Sequence, residues 1–262
     1  MIGRALAFLS GVWRVWQRNR DVYLVTWKTN MIPPLTEPLL YLGSFGAGVG
    51  VLVKEITYGG EVISYAAFIA PGLMASGLMF HTFGENTYGT FVRLYYQKTF
   101  DAILATPVSA RELIVGELAW GATKGFFANL LTMGVIALFG LVSFQAALLI
   151  IPFSLLAGFM FACVAILFAA TASRIDTLNV PMYLYVTPMF LFSGVFFPLD
   201  VMPPWARTVA TFLPLTHVVG FMRGASLDRT DGSLARGLAG TIIFLIPALW
   251  LALRLMYRRV IK

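Results

Sequence analysis

The chain has 262 residues, 59% hydrophobic and only 12% charged, with a mean hydropathy of +0.81, whereas an average soluble domain is about 25% charged. That composition excludes an ordinary soluble globule and identifies an integral membrane protein. The net charge of +7 does not point to nucleic acid, because the basic residues sit at the ends of apolar segments instead of forming one patch, as the positive-inside rule requires.

In chain order, residues 4 to 28 place Leu6, Leu9, Trp13, Trp16, Tyr23 and Trp27 at helical spacing, with Arg14, Arg18, Asp21 and Lys28 elsewhere on the wheel. This predicts an amphipathic helix lying along the cytoplasmic face, its tryptophans at headgroup level and its arginines against anionic lipid. A helix packed on a soluble partner is the other reading of the same pattern. Residues 1–29 thus form an interface segment and 30–262 the membrane domain. No cleavable leader is expected, since the first apolar run long enough to insert begins near Met31, behind this basic segment.

A first span is predicted from Ile32 to Val53, long enough for a hydrocarbon core about 30 Å thick. Pro33 and Pro34 mark its start, Glu37 lies just inside, and Gly43, Gly46, Gly48 and Gly50 permit close helix approach. A short, slightly acidic external loop, Lys54 to Glu61, leads to a second span from Ser64 to Tyr88, which carries Glu85 near its cytoplasmic end.

Between the second and third spans, Gln97 to Glu112 is amphipathic and capped at both ends. Thr99 is expected to N-cap a short helix with Phe100, Ile103 and Leu104 on one side and Asp101 in the dipole-favoured first turn. Pro107 stops it, and Ser109 to Glu112 reads as a capping box for the next helix. A helix this short is unstable alone and needs a surface to dock on.

The third predicted span, Leu113 to Leu141, is over-long and so begins in the cytoplasm; it carries Glu117 and Lys124. The fourth runs from Ala147 to Ala170, a short link holds Arg174 and Asp176, and the fifth runs from Leu178 to Phe197 with Pro181 and Pro188 inside it. Residues 198 to 238 are too apolar for a free loop and too broken by proline for a span. They fit two half-helices dipping into the outer leaflet over residues 203–224, with Pro203, Pro204 and Trp205 opening the first, Pro214 and His217 the second, and Arg223 at the close. The last span, Ala239 to Met256, ends in Arg258, Arg259 and Lys262.

Six spans put both termini on one side, and the basic N-terminal segment, the loop around Arg93, Lys98 and Arg111 and the basic C-terminus make that side cytoplasmic. Arg207, Arg223, Arg229 and Arg236 fall outside and dissent, but long connections count weakly in the rule.

Several chemistries lack their residues. Gly116 to Gly125 contains Lys124 but not the Walker A pattern, so this polypeptide is not expected to bind ATP. His81 and His217 are far apart in the chain and Cys163 is the single cysteine, so neither a metal site nor an internal disulfide is expected. Gly-x-Ser-x-Gly and His-Glu-x-x-His are absent too, leaving no enzyme constellation.

The intramembrane ionisable residues Glu37, Glu85, Glu117 and Lys124 remain. A Glu85–Lys124 pair is expected, and fixing span two against span three suits it better than proton relay, which wants more titratable groups in series. The aromatics Phe126, Phe127, Tyr183, Tyr185, Phe190, Phe192, Phe196 and Phe197 could stack on sugar rings, guide acyl chains or face lipid.

Five ordered stretches carry a resemblance: EPLLYLGSFGAGVG, YAAFIAPGLMASGLMF, TFDAILATPVSARELIVGE with AWGATKG, TPMFLFSGVFFPLDVMPPW and LPLTHVVGFMRG. From residue 30 onward they resemble type-2 ABC exporter permeases, and within them the NodJ-type lipooligosaccharide exporters. The resemblance implies an all-α polytopic fold of six transmembrane helices, an N-terminal interfacial helix and an external re-entrant pair. It implies a homodimer in the bacterial inner membrane with two separate cytoplasmic ATPase subunits, which bind the ATP and Mg²⁺. Thr99 to Thr106 would be the coupling helix, with Phe100 and Leu104 anchoring in the ATPase, Ile103 beside them, Lys98 or Asp101 setting register and Pro107 closing the helix. The cargo would be an amphiphile with a glycan head and lipid tail, moving between subunits along spans one, two and five. Polysaccharide, drug or haem-precursor cargo fits the same architecture. Two other classes are an ion-coupled secondary transporter, which would want inverted repeats and mid-membrane carboxylates, and a membrane enzyme, which would want an acidic pair or metal site on a polar loop.

Overall fold

The computed structural model describes residues 2–53, 55–229 and 232–261; Lys54 and Lys262, named above in the external loop and the basic tail, lie outside them. Helix α1 spans Ile2–Val25, most of the expected amphipathic segment 4–28, whose last residues Trp27 and Lys28 open the next helix instead, and packs along α5 (Ala110–Leu138). Among the described residues five helices are long and apolar enough to cross a membrane: α2 (Trp27–Leu52), α3 (Tyr65–Tyr96), α5, α6 (Phe144–Thr171) and α10 (Ser233–Val260). Backbone groups in hydrocarbon must bond within their own segment, which is why apolar runs of this length form helices.

Proline breaks that rule locally in α2, where Pro38 offers no N–H to the Pro34 carbonyl. Thr132 of α5 donates its hydroxyl to that oxygen at 3.2 Å. The glycine-rich stretch of α2 relaxes into a π-helical turn over Leu42–Val49. Between α2 and α3 the expected loop is a β-hairpin, β1 (Glu55–Tyr58) paired antiparallel with β2 (Glu61–Ser64). Gly59 and Gly60, at φ 58 and 87, supply the positive φ angles that a two-residue hairpin turn demands.

Two predicted spans change. The second does not stop at Tyr88 but continues to Tyr96 through π turns at Glu85–Gly89 and Val92–Tyr96, because its charged residues are neutralised by partners inside the bundle. The fifth is not one long helix. A 3-10 turn, Ile175–Leu178, leads into α7 (residues 179–192), built from Asn179–Pro181, a π turn Met182–Val186 and Thr187–Phe192. It rises only about 21 Å, short of a hydrocarbon core of about 30 Å. Gly194 at φ 74 then turns the chain, so 193–197 cannot extend the helix.

The stub α4 (Thr99–Leu104) stands between α3 and α5. Two short helices, α8 (Pro204–Thr211) and α9 (Pro214–Ser226), occupy the proline-interrupted region, each with its proline at the first helical position, where a missing N–H costs nothing.

The core lies where α3, α5, α6, α9 and α10 meet. Phe68, Leu78 and Phe83 of α3 interlock with Leu118 of α5, Phe161 of α6 and Met222 of α9. Phe153 and Phe221 stack at 3.7 Å between α6 and α9. By contrast the apolar window of α2 is only 12% buried, against 67% for α6, so α2 sits at the margin. Close approach of α3 and α5 depends on small residues: a Cβ at Gly121 would strike the Asn86 amide, and one at Gly125 the Thr82 hydroxyl. Gly125→Val is therefore expected to destabilise the folded chain by about 1–3 kcal/mol, read as a lower midpoint in detergent unfolding, whereas Gly134→Val, at a glycine with open space around it, should leave the midpoint unchanged.

Candidate coupling site

A charge network crosses from α3 to α5 near the end of the bundle that carries α4. Glu85 and Arg93 are two helical turns apart on one face of α3, and Glu117 and Lys124 two turns apart on the facing side of α5. Lys124 Nζ lies 2.7 Å from Glu85 Oε2, and Arg93 Nη1 lies 2.7 Å from Glu85 Oε1. Trp120 adds its indole N–H to that same oxygen at 3.1 Å. Arg93 also spans to Glu117, its Nη2 2.7 Å and its Nε 2.9 Å from Oε2. Two acids face two bases, so the network is neutral in sum. Ionised side chains in hydrocarbon are tolerated on these terms, with every charge paired and directed inward.

The network does not end in the membrane. Asn19 of α1 donates to Glu117 Oε1 at 2.7 Å and accepts from Arg18 at 2.9 Å, and Arg18 reaches the Thr99 hydroxyl at 3.4 Å. Burial, then the nearby Arg93 charge, holds the Arg18 pKa below its ordinary value, while Glu117 opposes that shift. A continuous run of polar contacts thus joins the first residue of α4 to Lys124. A cleft of about 320 Å³ opens beside it, lined by Tyr23, Tyr88 and Lys124 among others.

The stub itself differs from expectation in two respects. Thr99 is not the N-cap; Lys98 holds that position at φ 54, in the left-handed region, and makes no side-chain cap bond. Phe100 is not available to a partner. It is 1% exposed and joins the core, with Ile103 and Leu104 half-buried against it, because the apolar side of so short a helix finds its surface within its own chain. What α4 presents outward is Lys98, Asp101, Ala102, Ala105, Thr106 and Pro107. The helix ends at Leu104, and the expected capping box then opens α5, with Ser109 N–H 2.6 Å from Glu112 Oε2.

The other singled-out residues lie elsewhere. Glu37 joins neither Glu85 nor Lys124; its Oε2 is 3.6 Å from His81 Nε2 in a cleft of about 510 Å³ between α2 and α3 that also reaches Ser76, Thr132 and Met182 of α7. Tyr41, Phe80 and Phe190 pack edge to face around it, Phe80 to Phe190 at 5.2 Å. Arg223, expected outside, is 3% exposed and lies at the far end of α3 from the charge network. Its guanidinium donates to the carbonyls of Phe68 at 3.1 Å and Gly194 at 2.8 Å and covers the Phe68 ring at 3.8 Å, so it cements the break after α7. Arg229 donates to the Tyr58 carbonyl and stacks on that ring, tying the β-hairpin to the same place. His217 Nε2 is 3.0 Å from the Thr211 carbonyl and its ring is pressed against Gly240, a packing role. Pro203 precedes α8, and Trp205 is exposed near Phe192. Among the described residues no cluster of His, Cys, Asp and Glu could hold a metal ion.

Sequence reasoning missed Arg93, Asn19 and Trp120. Arg93 was legible: it lies eight residues after Glu85, on the same helical face once span two is carried past Tyr88.

Residues 10–227 match the ABC-2 type transporter family. The chain is 31% identical over 248 residues to nodulation protein J of Sinorhizobium fredii and 32% identical over 248 residues to nodulation protein J of Rhizobium leguminosarum bv. trifolii, covering 95% of this chain and 93% of each relative. It is 21% identical over 232 residues to the inner membrane transport permease YadH of Escherichia coli, covering 88% of this chain and 89% of that one.

Glu117 is 1% exposed and accepts from Asn19 and Thr90 as well as Arg93, so Glu117→Leu leaves one buried positive charge in excess and two buried donors without their acceptor, and is expected to cost about 3–5 kcal/mol. Lys124→Met should cost distinctly less, since Arg93 and Trp120 still hold Glu85. Unfolding of the purified chain in detergent measures both, and equal losses would contradict this ordering.

Proposed function

The chain belongs to the ABC-2 type transporter family, and from that premise we propose that it is the permease subunit of an ATP-driven exporter in the bacterial inner membrane, both termini cytoplasmic. The observation that carries this reading is α4: a helix seated on its own subunit through Phe100, polar on its outward face, and bonded through Arg18 and Asn19 to a charge network inside the membrane. Such a stub suits force delivered from outside the chain better than a ligand site.

Two ATPase subunits would bind ATP and Mg²⁺ and supply the hydrolysis, since this sequence lacks a Walker A motif. Their closure would press on Lys98, Asp101, Ala102, Ala105 and Thr106. Because Phe100 locks α4 to the core and the network locks α3 to α5, the push would move these helices as one body, a rigid shift between two packed states. The Lys124–Glu85 pair then serves as a strut rather than a proton path.

A homodimer is supported by the exposed apolar faces of α2 and α7, including Leu40, Leu52, Tyr183 and Leu184. Between those elements the Glu37–His81 cleft offers a carboxylate, an imidazole and hydroxyls within aromatic walls, a combination suited to the glycan head of an amphiphile. The similarity to two nodulation J proteins and the sequence resemblance to lipooligosaccharide exporters favour that cargo over a small drug.

The test co-expresses the chain with its ATPase and reconstitutes the complex in vesicles. Ala105→Trp with Asp101→Arg, both on the exposed face of α4, should leave the folded yield intact and lower ATP-dependent export by about ten-fold or more, equivalent to about 1.4 kcal/mol of coupling. Phe100→Ala should instead lower the folded yield. Export undiminished by the double variant, or surviving ATP depletion, would overturn the reading, the latter in favour of ion coupling.

A further inference from the structure

At the end of the bundle shared by the start of α5 and the end of α10 lies a cleft of about 560 Å³, walled by Phe8 of α1, Arg111 of α5 and Trp250, Arg254, Tyr257 and Arg258 of α10. Among the described residues no acidic side chain lines it, and none of its three arginines makes an ion pair. Glu112, next to Arg111, is already committed to the capping box with Ser109. Arg259 points away, donating to the Ala172 carbonyl at 3.1 Å. Two of the arginines are held by aromatic rings instead: Arg254 over Trp250 at 5.1 Å and Arg111 over Tyr257 at 5.9 Å.

The arrangement continues along α10. Ile243, Ile246, Trp250, Arg254 and Arg258 recur at three- and four-residue steps, one stripe of the helix, and the first three are 67%, 65% and 60% exposed. The stripe is apolar within the membrane-spanning length and turns cationic at its end. An acidic protein surface would satisfy the arginines but not the apolar run above them. A molecule with a phosphate head and acyl tails satisfies both.

We infer that this cleft is a binding site for an anionic phospholipid, its phosphate held by Arg111, Arg254 and Arg258 and its acyl chain laid along Ile246 and Ile243. Each guanidinium offers a planar fork of donors suited to phosphate oxygens, and a basic pocket between spans at a membrane face is the geometry expected for headgroup capture. The inference depends on α10 crossing the membrane and is independent of export, so it stands or falls apart from the proposed function.

The test uses the delipidated full chain in detergent, titrated with phosphatidylglycerol or phosphatidylcholine and read by native mass spectrometry. Wild type should retain phosphatidylglycerol in preference to phosphatidylcholine. Arg254→Gln with Arg258→Gln should bind it about thirty-fold more weakly, whereas Arg207→Gln, at another exposed arginine, on α8, should bind as wild type does. Inorganic phosphate in large excess should fail to displace the lipid. Equal retention of both lipids, equal loss in Arg207→Gln, or full displacement by inorganic phosphate would each overturn the proposal, the last in favour of a free-anion site. Undiminished phosphatidylglycerol binding by the double variant would overturn it as well.

Discussion

Four charges in hydrocarbon are the constraint on which this molecule turns. Glu85, Arg93, Glu117 and Lys124 can be buried only because each meets an opposite charge at 2.7 Å, and meeting it requires α3 and α5 to lie in one register. Gly121 and Gly125 let the two helices come close enough, and Trp120, between the charged positions of α5, adds a second donor to the Glu85 oxygen that Arg93 holds. Had apolar residues stood at these four positions, dispersion contacts alone would set the relative placement of the helices, and those tolerate sliding better than a set of charge-assisted hydrogen bonds does.

The same contacts relate the amphipathic N-terminal helix to the membrane bundle. Asn19 is only 3% exposed, although it belongs to a helix whose opposite side is studded with exposed Leu6, Leu9 and Trp13. It bridges Glu117 to Arg18, while Val15 tucks against Gly116 and the Trp16 indole bonds to the Thr123 hydroxyl at 3.0 Å. α1 is therefore a packed neighbour of α5 along the Val15–Asn19 face, while Leu6, Leu9 and Trp13 stay exposed on another.

Most of the architecture was legible from hydropathy and capping. The starts of α5, α8 and α9 follow from Ser109, Pro204 and Pro214, and the Lys124–Glu85 pair from the cost of isolated charge. What escaped was decided by tertiary partners. For Arg93 the local partner Glu85 is legible at eight residues' spacing, but nothing local reveals that Glu117, twenty-four positions away, neutralises it as well. The burial of Arg223 is hidden for the same reason, since its acceptors are the carbonyls of Phe68, Gly194 and Val195 on other elements. The burial of Phe100 within its own chain is hidden because an amphipathic pattern says that a helix has an apolar side but not which surface covers it. The β-hairpin carries a local signal, for Gly59-Gly60 between Ile56 and Ile63 is a turn signal in its own right.

The fracture after α7 bears on the lipid around it. A segment that rises about 21 Å cannot match hydrocarbon of about 30 Å, so the bilayer beside it must pinch or another protein surface must cover the deficit. That mismatch falls next to the aromatic-walled cleft holding Glu37 and His81, where Phe190 of the short helix meets Phe80 and Tyr41. Thinned hydrocarbon there would bring headgroups and water toward the half-exposed Glu37 carboxylate, so that the protein shapes its solvent as well as its own walls.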